Sequence, residues 1–123
     1  MDVKPYKIPQ SVLVVIYRDS GQVLLLRRTV AAPGGEPFWQ SVTGSKDSLD
    51  EDWRETAVRE VQEETGIDTE ADGCQLTDWE LESVYTIYPE WQHRCAPGVW
   101  QNHGRVFGLR VRSSLPVRLY PRE

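Results

Sequence analysis

Arg59-Glu60-Val61-Gln62-Glu63-Glu64-Thr65-Gly66-Ile67 sets three carboxylates inside one turn, with a glycine just behind them. On a helix, Glu63 lies about 60° to one side of Glu60 and Glu64 about 40° to the other, so the three share an arc of about 100°. Gly66 is a natural helix stop. Acids are the wrong charge for that end, where the helix dipole is already negative, and they repel one another at i, i+3 and i+4. Many glutamate-rich faces are plain solvated surface. Such faces normally mix Lys or Arg among their acids at i+4, and no cation stands between Arg59 and Gly66. A hard divalent cation, which takes clustered carboxylate oxygens, is the simplest reason for the arrangement.

The acidity extends outward from this turn. Residues 47–70 hold ten acids and two bases, a net of −8 in a chain whose total is −5. The remainder is therefore mildly basic. An acidic metal centre within a basic remainder suits a metal-complexed polyphosphate. It does not suit a nucleic-acid polymer, which calls for a continuous basic face. The chain has 123 residues, 39% hydrophobic and 27% charged, as expected of one soluble globular domain. No apolar run approaches the ~18 residues of a membrane span. The first ten residues lack the basic-then-apolar order of a signal peptide. Cys74 and Cys95 are the two cysteines. They can pair, but they are too few for a disulfide framework or a zinc site. A reducing, cytoplasmic setting is the expectation.

Upstream, Ser11–Tyr17 (SVLVVIY) and Val23–Arg27 (VLLLR) read as strands joined by a turn at Asp19-Ser20-Gly21, a hairpin. Their continuous apolar character predicts burial on both faces. Residues 31–37, with two prolines and two glycines, are a loop. Phe38–Val42 is a short strand leading into Thr43-Gly44. A helix is expected from Glu51 or Asp52 to Thr65, with early acids favouring its start. Its core stripe is Ala57, Val58 and Val61, with Trp53 at the edge, lying beside the carboxylate arc without overlapping it. Beyond Gly66 the pattern is extended. Residues 75–87 hold one or two strands and 99–111 another, with a turn at Cys95-Ala96-Pro97-Gly98.

These residues resemble the signature of the Nudix hydrolases: a glycine, five residues, a glutamate, seven residues, then R-E-U-x-E-E-x-G-U with U apolar. Gly44 opens it, and Glu51 is followed by seven residues and then Arg59–Ile67. Six residues separate Gly44 from Glu51, which reads as a one-residue loop insertion. Either Asp50 or Glu51 then takes the first acidic role. The resemblance implies an α/β (α+β) domain spanning residues 1–123, with the Nudix box at 44–67. The expected architecture is an α/β/α sandwich with a mixed sheet. It implies an enzyme that hydrolyses a phosphoric anhydride with Mg2+, or Mn2+, held by Glu60 and Glu64. Glu63 is a further ligand or positions water, and Arg59 orients the glutamates. The chemistry stands without the family name. Water attack on a pyrophosphate needs neutralised non-bridging oxygens, an activated water and an aligned leaving group, and divalent ions serve all three.

The segments Tyr6-Lys7, Ser11–Tyr17, Phe38–Ser45 (FWQSVTGS) and His93–Val99 (HRCAPGV) are similar to the branch of the family that acts on pterin triphosphates in folate biosynthesis. That branch implies release of pyrophosphate from dihydroneopterin triphosphate, leaving the monophosphate. It also implies substrate contacts at Lys7, Arg28, Thr43 and the run Tyr85, Thr86, Ile87 and Tyr88. Trp39, Tyr85 and Tyr88 are candidates for an aromatic wall against a flat bicyclic ring, and His93 is read as structural. Glu123 matches a further family acid that serves as metal ligand or base. No helix pattern follows Arg112, so the last helix of the sandwich is expected to be missing from a C-terminally shortened chain. The alternative functions are a general (d)NTP or dinucleoside polyphosphate hydrolase, and a Nudix-fold binding module without turnover.

Overall fold

The computed structural model describes residues 6–27 and 39–112. Its central strand, β1 (Gln10–Arg18), is the apolar run of the sequence. Val12, Val14 and Ile16 are buried, while Leu13 and Val15 are only half-buried. Burial on both faces is therefore met on one face alone. The cause is α1 (Trp53–Thr65), the one α-helix among the described residues, which packs on β1 from one side and sets Ala57 and Val61 into the core with Phe107 and Leu109.

The turn at Asp19–Gly21 closes as expected, with Gly21 at φ 90° and its N–H donating to Arg18 O at 2.9 Å. Val23–Arg27 does not form one strand. β2 (Val23–Leu24) pairs with β1, and β3 (Leu26–Arg27) leaves to pair with β4 (Trp39–Gln40). The reason is competition for one edge of β1. Ile16 and Tyr17 pair with β2, but Val14 is already paired with Val42 of β5 (Val42–Ser45). The chain has to peel away at Leu25. The strand expected at Phe38–Val42 is likewise divided between β4 and β5, and Phe38 lies outside the described residues.

The other edge of β1 is taken along its full length by β7 (Gln101–Val111), in parallel. β6 (Gln75–Thr86) is one strand, antiparallel to β7. It carries a bulge between Asp78 and Leu81, where Glu80 has φ 58° and donates its N–H to Asp78 Oδ1 at 2.8 Å. The sheet is thus mixed, with order β2-β1-β7-β6 and β5 beside β1. A 3-10 helix, Pro89–Arg94, links β6 to β7; proline at its first position was the available signal. Cys74 and Cys95 are free thiols, and burial pushes the Cys74 thiol up.

Cross-strand partners share a face, so the register sorts the residues around the site. Gly44, Val12, Arg105 and Glu82 form one row on the helix side. Thr43, Leu13, Val106 and Leu81 form a row on the opposite side.

Candidate active site

α1 begins at Asp52, whose carboxylate accepts the Glu55 N–H at 2.7 Å, while Glu55 reaches back to the Asp52 N–H. This reciprocal cap fixes where the helix starts. Gly66, left-handed at φ 73°, ends it and returns its N–H to Gln62 O at 2.9 Å. No base lies in the last turn.

The carboxylate arc is not a separate face beside the core. Glu60 and Glu64 are only 3% exposed, whereas Val58 is half-buried. Val58 and Trp53 still pack against the core as expected, with the two acids buried beside that stripe. Glu63 stands apart, with its side chain 43% exposed. Room for Glu60 comes from Gly44: a Cβ at position 44 would collide with Glu60 Cδ and with both carboxylate oxygens. The glycine and the glutamate are thus two halves of one packing arrangement between β5 and α1.

Arg59 ties this arrangement to the preceding loop. Nη1 donates to Glu60 at 2.8 Å and to Glu63 at 3.3 Å. Nε and Nη2 each meet Glu51 at 3.0 Å, and Nη2 also reaches the Ser45 carbonyl at 2.8 Å. Asp47 adds an ion pair at 3.1 Å. Between Asp50 and Glu51, it is Glu51 that takes the structural acid position. Thr56 Oγ1 and the Asp47 N–H also donate to Glu51, at 2.7 and 3.0 Å. Arg59 beside it holds the Glu51 carboxyl at about 2, well below the usual 4.5. The same pairing, led by Glu51, pushes Arg59 further up. Asp50 is exposed. Ser45 and Asp47 were not foreseen, because a loop with an added residue does not declare its contacts; nor was Thr56 of α1, whose partner is in that loop.

Whether these residues suit a divalent ion can be judged from their chemistry. Two carboxylates are buried one turn apart at the negative end of a helix, with a third at the rim. Burying charge there is costly; Arg59 offsets part of it at Glu60, and the hard oxygen donors match Mg2+ or Mn2+. The donor set fits such an ion. Among the described residues no three His, Cys, Asp or Glu groups already converge as a finished ligand set.

The expected substrate contacts fall in two places. Thr43 lies on β5, on the sheet face opposite Gly44, and its Oγ1 accepts from Gln40 Nε2 at 3.2 Å. Trp39, on the β3–β4 ribbon, is exposed. Tyr85 and Thr86 end β6, Ile87 donates its N–H to Trp100 O at 2.8 Å, and Tyr88 is exposed beside them. Lys7 joins this end through its backbone, with its N–H on Arg94 O at 2.7 Å. His93 is exposed, and its imidazole makes no hydrogen bond to another described residue. Arg28 and Glu123 lie outside the described residues, as does the segment expected to lack a helix.

The sequence matches the NUDIX domain over residues 7–108. It is 43% identical over 112 residues to a dihydroneopterin triphosphate diphosphatase of Escherichia coli K12, covering 90% of this chain and 71% of that protein. The fold superposes on the structure of the E. coli dihydroneopterin triphosphate pyrophosphohydrolase with a TM-score of 0.81 at 38% identity, covering 95% of this chain and 77% of that one. A C. elegans Ap4A hydrolase shares the fold, with a TM-score of 0.62 at 22% identity over 92% of this chain and 73% of that one. Together with the Gly44–Ile67 signature and its geometry, these likenesses place the chain in the Nudix hydrolase family.

Proposed function

We propose that this protein is a Mg2+-dependent pyrophosphohydrolase that cleaves dihydroneopterin triphosphate to the monophosphate and pyrophosphate. The observation that carries the reading is the Glu60 carboxylate lodged on Gly44, with Glu64 buried one turn further and Arg59 between them and the loop. The similarity to the E. coli enzyme, over 90% of this chain, supports the choice of substrate.

In this reading Glu60 and Glu64 hold the ion, and Glu63 completes the set or positions water. Manganese is the expected substitute for magnesium. A divalent ion bound there supplies charge neutralisation at the phosphate oxygens and lowers the pKa of bound water. The chain's own residues do the rest. Arg59 fixes the rotamers of Glu60 and Glu63 through its 2.8 and 3.3 Å contacts. Glu51 and the Ser45 carbonyl anchor Arg59 from behind, so the guanidinium is held to orient the carboxylates. Glu63, exposed at the rim, serves in this reading to position the attacking water. Lys7, Thr43 and the Tyr85–Tyr88 run serve the rest of the substrate.

Initial rates with Mg2+ on dihydroneopterin triphosphate and on the four common dNTPs test the assignment. The pterin substrate is expected to have the highest kcat/KM and to yield pyrophosphate. Faster turnover of every dNTP would move the protein to the general nucleotide hydrolases.

A further inference from the structure

A recess of about 350 Å³ opens at the far end of β6 and β7, walled by Tyr6, His93, Ala96, Pro97, Gly98 and Val99. Its backbone is fixed at several points. Cys95 donates its N–H to Gln92 O at 3.0 Å, Val99 to Ala96 O at 3.0 Å, and Lys7 to Arg94 O at 2.7 Å. Ala96–Val99 is a tight turn with proline second and glycine third, and Gly98 has φ 88°, as a type II turn requires. No atom lies within 4 Å of where a Gly98 Cβ would stand, so the turn leaves open space. Gln92 Nε2 donates to Ile87 O at 3.0 Å and staples the recess to the Tyr85–Tyr88 run.

The walls combine two ring side chains, Tyr6 and His93, with the small apolar surfaces of Ala96, Pro97 and Val99. That is the chemistry of a slot for a flat, polar-edged heterocycle: stacking on the rings, with apolar contact below. Its position is also suitable. Tyr6 precedes Val12 by six residues, and Val12 pairs with Gly44, on which Glu60 sits. Six residues reach at most ~20 Å. The recess is thus held within about that distance of Val12, the strand position paired with Gly44.

Resting on the pterin reading above, we infer that this recess binds the bicyclic 2-amino-4-oxo ring of the substrate, with Tyr6 and His93 as its stacking walls. His93 is then a specificity residue; its exposure and lack of a described hydrogen bond suit this better than the structural role expected from sequence.

The probe is 7,8-dihydroneopterin, which carries the ring without phosphates, with adenosine as the competing ring. Dissociation constants are measured for wild type, Ala96→Trp, which fills the recess, and His93→Ala, an exposed position that keeps the test valid if Ala96→Trp does not fold. Dihydroneopterin is expected to bind wild type more tightly than adenosine. Each folded variant is expected to weaken it about tenfold. KM for the triphosphate should rise in parallel while kcat changes little, because the carboxylates are untouched. Unchanged dihydroneopterin affinity and unchanged KM in folded variants of an active enzyme would overturn the recess alone. Tighter binding of adenosine would overturn its preference for the pterin ring. A wild type that neither binds dihydroneopterin nor hydrolyses its triphosphate would overturn the substrate reading as well.

Discussion

A methyl group at position 44 would run into the Glu60 carboxylate, so Gly44→Ala tests the site through a residue with no functional group. Overpacking of this kind costs about 1–3 kcal/mol. A displacement of Glu60 by ~1 Å is enough for a ~100-fold loss of rate. Thermal unfolding and kcat/KM should both register the change, and a fully active Gly44→Ala would show that Glu60 need not sit there. Glu51 gives a second test, through pH. Its folded value, near 2, is below the ordinary 4.5. The pair with Arg59 therefore stabilises the fold fully above pH 4.5, and the contribution is lost as pH falls toward 2. Urea unfolding across that window should show a slope that Glu51→Gln reduces, and an identical slope in the variant would remove Glu51 from the network. The triple-glutamate turn is legible in the sequence, because charge and spacing alone make it anomalous on a helix. The burial of Glu60 was hidden, because it depends on a glycine sixteen positions earlier in the chain.

Elements with local causes were legible and those decided by neighbours were not. α1 follows its capping box and its C-terminal glycine, and the hairpin at Asp19–Gly21 follows its turn. The splitting of Val23–Arg27 has no local cause, since it comes from β5 occupying the same edge of β1. The bulge in β6 was equally hidden. Asp78 accepts the Glu80 N–H and two contacts from Arg105 Nε at 3.2 and 3.0 Å, while Arg105 Nη1 reaches Glu82 at 2.9 Å. This network crosses from β6 to β7 and holds Glu80 in the left-handed region, which costs an L-residue about 1–2 kcal/mol. Glu80→Gly relieves that strain and adds a smaller entropic cost, so a net gain of about 0.5–1 kcal/mol is expected. Chemical denaturation measures it; a loss of stability would mean that the Glu80 side chain has a role beyond the turn.

At the scale of the molecule, the sheet faces the proposed metal-binding carboxylates on one side of β5 and carries the expected substrate contact Thr43 on the other, on adjacent residues. β1 brings the two ends together: its helix-side register fixes Gly44 under Glu60, and the chain leading into it borders the recess at Tyr6. The parallel pairing of β1 with β7 joins positions some ninety residues apart, and no pattern within either strand announces it. The similarity to the E. coli diphosphatase extends over 90% of this chain at 43% identity, so substrate and site are joined in one proposed claim: the buried carboxylates of α1 release pyrophosphate from dihydroneopterin triphosphate. The most direct measurement is product analysis by 31P NMR, with Mg2+, for wild type and Glu64→Gln. Wild type is expected to give pyrophosphate and the monophosphate. Glu64→Gln should fall at least ~100-fold, since even indirect supports of a metal site cost 10–100-fold. Its unfolding temperature should hold or rise, because a repulsion at the helix end is removed. Orthophosphate as the first product, or a wild-type rate in a folded Glu64→Gln, would contradict the account.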